Sequence, residues 1–502
     1  MISLLQKLSD PAAYPHETGE IRFVETHISW VILTGDFAYK IKKPVKLGFL
    51  DFSTLELRRY FCEEELRVNR RTAPDLYLRT VPIGAVAGGI RVGAEPALEY
   101  AVQMRQFSHE ARLDRCLQAG KIGAREACEL ASEIARFHSK LPPREYFDSE
   151  FEHERTIRPA RKNFKHLDPD CFSDRLQQQL AVIEAWTLEQ ADALKETITE
   201  RALCGSVREC HGDLHLENLL QLDNRFVLFD AIEFNPELRW IDTANDIAFL
   251  AMDLMSRGRD DLAFVVLNAW LENNGDYNSL AVMRFYLVYR SMVRAVVTSI
   301  RQRQQSAQFG QSFRLKSDGY IDLAAKLVDT PPPQLLLMHG FSGSGKTWYS
   351  NKLVGELPAL RVRSDLERKR LPGPGPGQSN TSGIEVGLYS REVTARTYEA
   401  LARHCETGLR AGFSMIADAS FLQRCHRELF IEMAGRIGVQ VGIVDCRADK
   451  ETLRERIRLR TAGGRDASDA DLSVLEHQIG HHDPLIESEK ELVVQPLPAQ
   501  RD

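Results

Sequence analysis

The chain has 502 residues, too many for one ordinary hydrophobic core, so two or three domains are expected. With 43% apolar and 27% charged residues it has the composition of a soluble globular protein, and no apolar run reaches the roughly 18–20 residues of a membrane span. The net charge of −6 falls wholly before residue 334, because the residues from there on carry 23 basic and 23 acidic side chains. Neither part has the basic excess of a nucleic-acid binder, which argues against a nucleic-acid partner. Nine scattered cysteines without a C-x-x-C pair, and an opening stretch without a signal-peptide apolar core, point to reduced thiols, no structural zinc and a cytoplasmic location.

Residues 1–20 read as a short helix and a Pro-containing loop, and residues 21–45 as strands split by the turn signal Thr34-Gly35-Asp36. In Phe37-Ala38-Tyr39-Lys40, strand alternation puts Ala38 and Lys40 on one face, and Lys42 shares it. A small residue under a nucleotide base with a lysine reaching its phosphates would be spaced this way, as would a solvated basic edge strand. Ser53 is placed as the N-cap of a helix running to about Arg71, with Leu57, Tyr60, Phe61 and Val68 on its buried side. Glu64 and Glu65 lie beside that stripe; either could pair with the lysine, and Glu65 is preferred. "LYLRTVPI", "GIRVG" and "EYAVQMRQF" read as further strands, the last leading into a linker near Met104 to Gln106 whose backbone could bind adenine. From about Lys121 to Cys204 the pattern is helical; His138 is read as a packing residue, and the basic stretch Arg155 to Lys165 as a solvated face or loop.

His211-Gly212-Asp213-Leu214-His215-Leu216-Glu217-Asn218 has the pattern H-x-D-x-x-x-x-N, followed by the hairpin-like "LLQLDNRFVLFD" that ends in Asp230. Phosphoryl transfer needs one carboxylate to orient the attacking hydroxyl, here Asp213. It also needs an amide and a second carboxylate to hold Mg²⁺ against the ATP phosphates, here Asn218 and Asp230. Glu233, Asp242 and Asp246 add carboxylates close in sequence, Asp246 as a helix N-cap or an anchor of the loop. Helices follow to about Leu327, including "MRFYLVYRSMVRAVVTSI", where Arg284, Arg290 and Arg294 exclude a membrane span. The "HGDLHLEN" loop, the "IARFHSKL" helix and the Asp213–Asp230 spacing resemble the aminoglycoside phosphotransferase/choline kinase superfamily over most of residues 20–327. The resemblance implies an α+β protein-kinase-like fold, with a small β-rich lobe and a helical lobe, that phosphorylates small molecules. It implies Asp213 as catalytic base, Asn218 and Asp230 as Mg²⁺ ligands, and His211 as a structural residue of the loop; the phosphate-side lysine stays open between Lys40, which is preferred, and Lys42. Two departures stand out: no Gly-rich loop precedes Lys40, and Glu233 stands soon after Asp230 where protein kinases place glycine. The second favours a small-molecule kinase over a protein kinase.

Thr330-Pro331-Pro332-Pro333 is a stiff connector, and the expected domains are 1–329, a linker at 330–334, and 335–502. After it, "QLLLMHGFSGSGKTWYSNKL" reads as a buried strand, a Gly-rich turn and a helix. Gly340-Phe341-Ser342-Gly343-Ser344-Gly345-Lys346-Thr347 matches G-x-x-x-x-G-K-[ST] in full. Backbone N–H groups across Gly340, Gly343, Ser344 and Gly345 would wrap phosphates, Lys346 would reach the β/γ oxygens, and Thr347 would bind Mg²⁺. A strand ends at Ser364-Asp365, with Arg368 three residues on. Asp365 could take the proton of a substrate hydroxyl and Arg368 hold the substrate, or Asp365 could simply cap the next helix. "GFSMIADASF" gives a strand ending at Asp418, a candidate for holding Mg²⁺ through water, with Arg424 and Arg427 on the helix after it. The arginine-rich stretch from Glu451 to Leu472 suits a lid, with Arg456 or Arg460 approaching the phosphates. The Pro/Gly-rich segment 371–383 is a candidate substrate flap, and His481-His482-Asp483 reads as polar surface. Residues 334–495 resemble the P-loop small kinases grouped with zeta toxin, gluconate kinase, chloramphenicol phosphotransferase and polynucleotide kinase. The order of the halves resembles bacterial fusions of an aminoglycoside phosphotransferase-like domain to a P-loop kinase.

The sequence therefore predicts an α+β protein-kinase-like domain followed by an α/β P-loop domain with a parallel sheet. The expected activity is a bifunctional phosphotransferase using ATP and Mg²⁺ on small-molecule hydroxyls, with no membrane partner. Two alternatives stand beside it: a single kinase whose P-loop domain regulates, and a nucleic-acid 5′-hydroxyl kinase, against which the balanced charge of residues 334–502 counts.

Overall fold

In this computed structural model the described residues are 2–47, 50–145, 149–168, 172–304, 307–371, 391–463 and 471–494. They fall into two compact units. One comprises residues 1–123, 137–156 and 199–253; the other comprises 124–136, 157–198 and 254–502, so the expected linker at 330–334 lies within the second.

In the first unit, the alternating residues 22–105 form a six-stranded antiparallel sheet in the order Arg22–Glu25, Ser29–Leu33, Phe37–Lys42, Ala97–Arg105, Tyr77–Val86, Gly89–Val92. Lys40 pairs with Val31 on one side and Val102 on the other, which makes its strand central. Alternation divides the strand: Tyr39 and Ile41 join Ile32, Val81 and Ile83 in one core, while Ala38 joins Tyr77, Val102 and Met104 in another. Cys62, on the helix Leu55–Asn69, belongs to the second core, so Ala38 and the lysines in phase with it look toward that helix.

The helix differs from the sequence reading in its cap and in its buried side. Its N-cap is Thr54, whose Oγ1 accepts from Leu57 N–H at 3.2 Å; Ser53 instead donates to the Asp51 carboxylate. The buried stripe is Arg58, Cys62, Glu65, Val68 and Asn69, whereas Tyr60 is 55% exposed. Hydrophobicity misplaces the stripe because two charged residues occupy it, Arg58 being buried against Glu99 at 2.9 Å. The basic stretch from Arg155 is likewise neither loop nor open face at its start: it belongs to the helix Ser149–His166, and Arg155 is buried against Glu152 at 2.6 Å.

The second unit contains the long helices Asp260–Asn274, Leu280–Gln304 and Ala307–Val328 and a five-stranded parallel sheet. The sheet order is Ala359–Arg363, Ser414–Asp418, Gln334–His339, Gln440–Asp445, Val493–Val494. Leu335, Leu337, Met415, Ile416, Ala417 and Ile443 are fully buried, as the continuous apolar runs of a sheet covered on both faces require. These are the two architectures expected from the sequence. No helix among the described residues is long and apolar enough to cross a membrane.

The helix Arg391–Arg410 meets the strand Ser414–Asp418 at Gly408, where an added Cβ would lie 2.2 Å from Met415 Sδ. Gly408→Ala is therefore expected to destabilise the second unit by about 1–3 kcal/mol through overpacking, read as an earlier urea midpoint.

Candidate functional site

The first site is built around a buried carboxylate. Glu65 Oε1 lies 2.7 Å from Lys40 Nζ, and Glu65 Oε2 lies 2.5 Å from Lys42 Nζ. Lys40 also reaches Asp230 Oδ1 at 2.6 Å, and Lys42 bonds the buried Glu233 carboxylate. Both lysines thus pair with Glu65, while Glu64 turns to Arg67 and Arg239. Burial alone would push the Glu65 carboxyl up, but the two ammonium groups outweigh it and hold it well below the usual range. Burial would lower Lys40, yet Asp230 and Glu65 hold it well above its ordinary value.

The loop bearing Asp213 is fixed from behind. His211 is fully buried; its Nε2–H donates to Phe229 O at 2.8 Å, and its Nδ1 accepts from Asp213 N–H at 3.3 Å. Burial pushes its pKa down, which keeps the ring in the neutral form this pairing needs. Asp246 accepts from His211 N–H at 3.1 Å, Gly212 N–H at 2.9 Å and His138 Nε2 at 3.1 Å. Gly212 must be glycine here, for its φ is +85° and a Cβ would lie 2.7 Å from Leu238 O. Asn218 Nδ2 donates to Asp213 Oδ2 at 2.9 Å, an orientation that keeps the amide nitrogen on the carboxylate. Asp230 adopts φ +60°, with its N–H on the Tyr77 hydroxyl oxygen at 3.0 Å, and Ala231 N–H bonds Asn69 Oδ1 at 2.8 Å.

At this site Glu233, Asp242 and Asp246 are already engaged, by Lys42, by Arg201 at 2.7 Å, and by the Asp213 loop with His138, the last being the anchor role that the sequence allowed. His138 is more than a packing residue, since it holds Asp246. Gln106 N–H, a candidate adenine donor, already bonds Asp36 O at 2.9 Å. Sequence reasoning missed the roles of Tyr77 and Asn69; no motif marks them, because each acts through one hydrogen bond to the backbone around Asp230.

The second site is a cavity of about 280 Å³ lined by Lys346, Thr347, Asp365, Arg368, Asp418 and Arg456 among others. Gly340, Gly343 and Gly345 have φ of +139°, +83° and +94°, and a Cβ on Gly340 would lie 2.3 Å from Cys446 O. Gly345 leads directly into the helix Lys346–Glu356. Lys346 Nζ donates to Gly340 O and Phe341 O, both at 2.8 Å, closing the loop on itself. Ser344 Oγ is buried without a hydrogen-bond partner inside this cradle. An orphaned hydroxyl, a glycine-only backbone and a helix N-terminus fit a phosphate chain. The oxygens of Thr347 and Asp418 suit a hard cation such as Mg²⁺, as do those of Asn218 and Asp230 in the first site.

Asp365 lines the cavity and is not the helix cap: the helix Ser364–Arg370 starts one residue earlier, with Arg363 at its cap position. Asp418 is 5% exposed and accepts from Ser350 Oγ at 2.8 Å. Arg456 Nη1 donates to Gly343 O at 3.3 Å. Arg460 is on the same helix, Lys450–Gly463, but its side chain lies outside the described residues, as does nearly all of the segment 371–383. Arg427 faces away from this chemistry, fully buried against Glu489 at 2.7 Å. The cavity also takes in Trp348, Arg363 and Tyr398, which sequence reasoning passed over. Trp348 follows Thr347 directly and was within reach of the motif, whereas Tyr398 comes from a distant helix.

The fold and the sites define a unit with an antiparallel sheet and a buried lysine–carboxylate network, and a unit with a parallel sheet and a P-loop. Residues 335–485 match the model of a family described as an AAA domain. An uncharacterized protein of Mycobacterium tuberculosis is 29% identical over 456 residues, covering 88% of this chain and 87% of the relative. A choline/ethanolamine kinase family protein from Mesorhizobium loti aligns with a TM-score of 0.39 and 12% identity over 66% of this chain and 96% of its own. A choline kinase from Cryptosporidium parvum aligns with a TM-score of 0.39 and 15% identity over 65% of this chain and 96% of its own.

Lys42→Met is expected to destabilise the first unit by about 3–5 kcal/mol, because it leaves Glu233 buried without its cation. Lys40→Met is expected to cost less, since Lys42 still neutralises Glu65 and the Asp230 side chain is 42% exposed. Hydrogen exchange in the strand Phe37–Lys42 would compare the two. In the second unit His426 stacks on Tyr398 at 3.7 Å, and burial with the nearby Arg368 and Arg427 charges pushes its pKa down to about 4. The unfolded chain therefore binds this proton first as pH falls from about 6.5, and stability is lost between there and about pH 4. His426→Gln should flatten that part of the urea-midpoint profile; an unchanged slope would contradict the assignment.

Proposed function

We propose that the chain is an ATP- and Mg²⁺-dependent phosphotransferase with two separate nucleotide sites, each acting on a hydroxyl of a small molecule. The observation that carries this reading is the convergence of Lys346, Thr347, Asp365, Arg368, Asp418 and Arg456 on one cavity beside a backbone shaped for phosphate. Those groups come from the loop and three other segments, and each has a distinct task in phosphoryl transfer.

Bound ATP with Mg²⁺ would supply the electrophilic phosphoryl group at both sites. In the P-loop site Lys346 neutralises phosphate charge, Thr347 and Asp418 hold the cation, Asp365 takes the proton of the acceptor hydroxyl, and Arg368 orients that acceptor. Arg456, bonded to the loop at Gly343, is placed to add charge over the phosphates as a lid residue. In the first site Asp213 orients the acceptor hydroxyl and receives its proton, Asn218 and Asp230 hold the cation, and Lys40 reaches the phosphates from its seat on Glu65. The acidic balance of the residues before 334 is compatible with a cationic acceptor such as an amino sugar. The second acceptor is another hydroxylated metabolite or the product of the first site. A cytoplasmic location is compatible with the use of ATP and with the free cysteines among the described residues.

Phosphate transfer from labelled ATP into a metabolite extract tests the reading. Asp213→Ala is expected to lower labelling of one group of products by about 10²–10⁴-fold. Lys346→Ala should remove a different group. Loss of all nucleotide binding in either single variant would sink the two-site picture, and unchanged products in Asp365→Asn would make the P-loop part regulatory.

A further inference from the structure

The strand Ala359–Arg363 is at the edge of the parallel sheet, so among the described residues one side of its backbone has no strand to bond. Side chains from the helix Asp260–Asn274 and the turn after it fill that side. Asn268 Nδ2–H donates to Ala359 O at 3.1 Å, and Asn268 Oδ1 accepts from Arg361 N–H at 2.6 Å, so one carboxamide stands in for a neighbouring peptide. The Tyr277 hydroxyl donates to Arg361 O at 3.2 Å. Neither Asn268 nor Tyr277 lies in the 335–485 span that matches the AAA domain.

The Arg361 side chain continues the connection inward. It is 5% exposed and forms an ion pair with Glu272 Oε1, at 2.9 Å from Nε and 2.6 Å from Nη2. Its Nη1 donates to Ser350 Oγ at 2.9 Å, and that hydroxyl donates to Asp418 Oδ2 at 2.8 Å. Ser350 has one proton to give and accepts from Arg361; of its two acceptors, Asp418 Oδ2 at 2.8 Å and Thr347 O at 3.1 Å, the charged carboxylate is the nearer.

We infer that Glu272 is a positioning residue of the P-loop site, acting through Arg361 and Ser350 on the metal-side carboxylate of Asp418. This rests on the reading of the P-loop as an ATP site. A buried guanidinium must have an anion, and two lie close: Glu272 on one side and Asp418 one hydroxyl away on the other. While Glu272 holds Arg361, Asp418 keeps its charge for a cation. Remove Glu272, and Arg361 turns to Asp418, forming a pair that a divalent cation must break before it can bind. Asn268 and Tyr277 fix the height of the same strand, which runs directly into Ser364 and Asp365.

The test uses the full chain with the first site silenced by Asp230→Ala, and ATP as the probe in EDTA and in saturating Mg²⁺. Adding Glu272→Ala should cut the Mg²⁺-dependent gain in ATP affinity by about tenfold and leave the metal-free affinity within about twofold, the same pattern expected of Asp418→Asn. Combining Glu272→Ala with Asp418→Asn should add no further loss, because the two act in one line. Glu272→Gln keeps the size and one acceptor oxygen and serves the same comparison if the alanine variant does not fold. An unchanged Mg²⁺ gain, or an equal loss with and without Mg²⁺, would overturn the inference and leave Glu272 a purely structural residue. Lys346→Ala is the separate control: if it leaves ATP binding intact, the P-loop reading itself is wrong, and the inference falls with it.

Discussion

A carboxylate on the buried side of a helix has to be met by cations, and Glu65 is met by two. Lys40 and Lys42 are two residues apart on a central strand, so strand periodicity delivers both ammonium groups to the same place. Each lysine then has a second partner in the passage after the hairpin, Asp230 for one and Glu233 for the other. Helix, sheet and hairpin exit are therefore held to one another by charges that none of them could bury alone. The position of Asp230 depends on this arrangement, and so does its left-handed backbone, which a bond to Tyr77 and a neighbouring bond to Asn69 also support.

The same charges explain which parts were legible in the sequence. Periodic patterns and turn signals read cleanly where apolar residues do the packing: the hairpin at Gly35, the strands to Arg105, and the apolar runs of the parallel sheet. The helix Leu55–Asn69 reads poorly because its interior side carries Arg58 and Glu65, while Tyr60 faces solvent. A hydrophobicity pattern cannot anticipate a stripe built from ion pairs. The choice between Lys40 and Lys42 had no answer in the form it took, since Glu65 has two oxygens and uses one for each.

Motif residues were legible for a different reason. Asp213 with Asn218, and the loop from Gly340 to Thr347, are close in sequence because the chemistry needs their backbones to turn on themselves. Residues that support them from afar leave no local trace. Asp246 shows the contrast: the sequence offers it as a helix cap or an anchor of the loop, without naming the groups it would hold. Only the fold shows that it gathers two backbone amides and His138, and so holds the Asp213 loop from behind. Glu272 and Asn268 are of the same kind, ordinary residues on a helix until the sheet edge is seen beside them.

That sheet edge bears on how such a chain could be inherited. A P-loop module is usually pictured as portable, cut out at its linker and joined elsewhere. Here the first outer strand borrows its missing hydrogen bonds from Asn268 and Tyr277, upstream of the proline-rich connector. A recombination break at the connector would leave that edge bare and prone to pair with other strands. The smallest transferable piece is therefore larger than the motif-bearing stretch, since it has to bring the helix Asp260–Asn274 and the turn at Tyr277 with it.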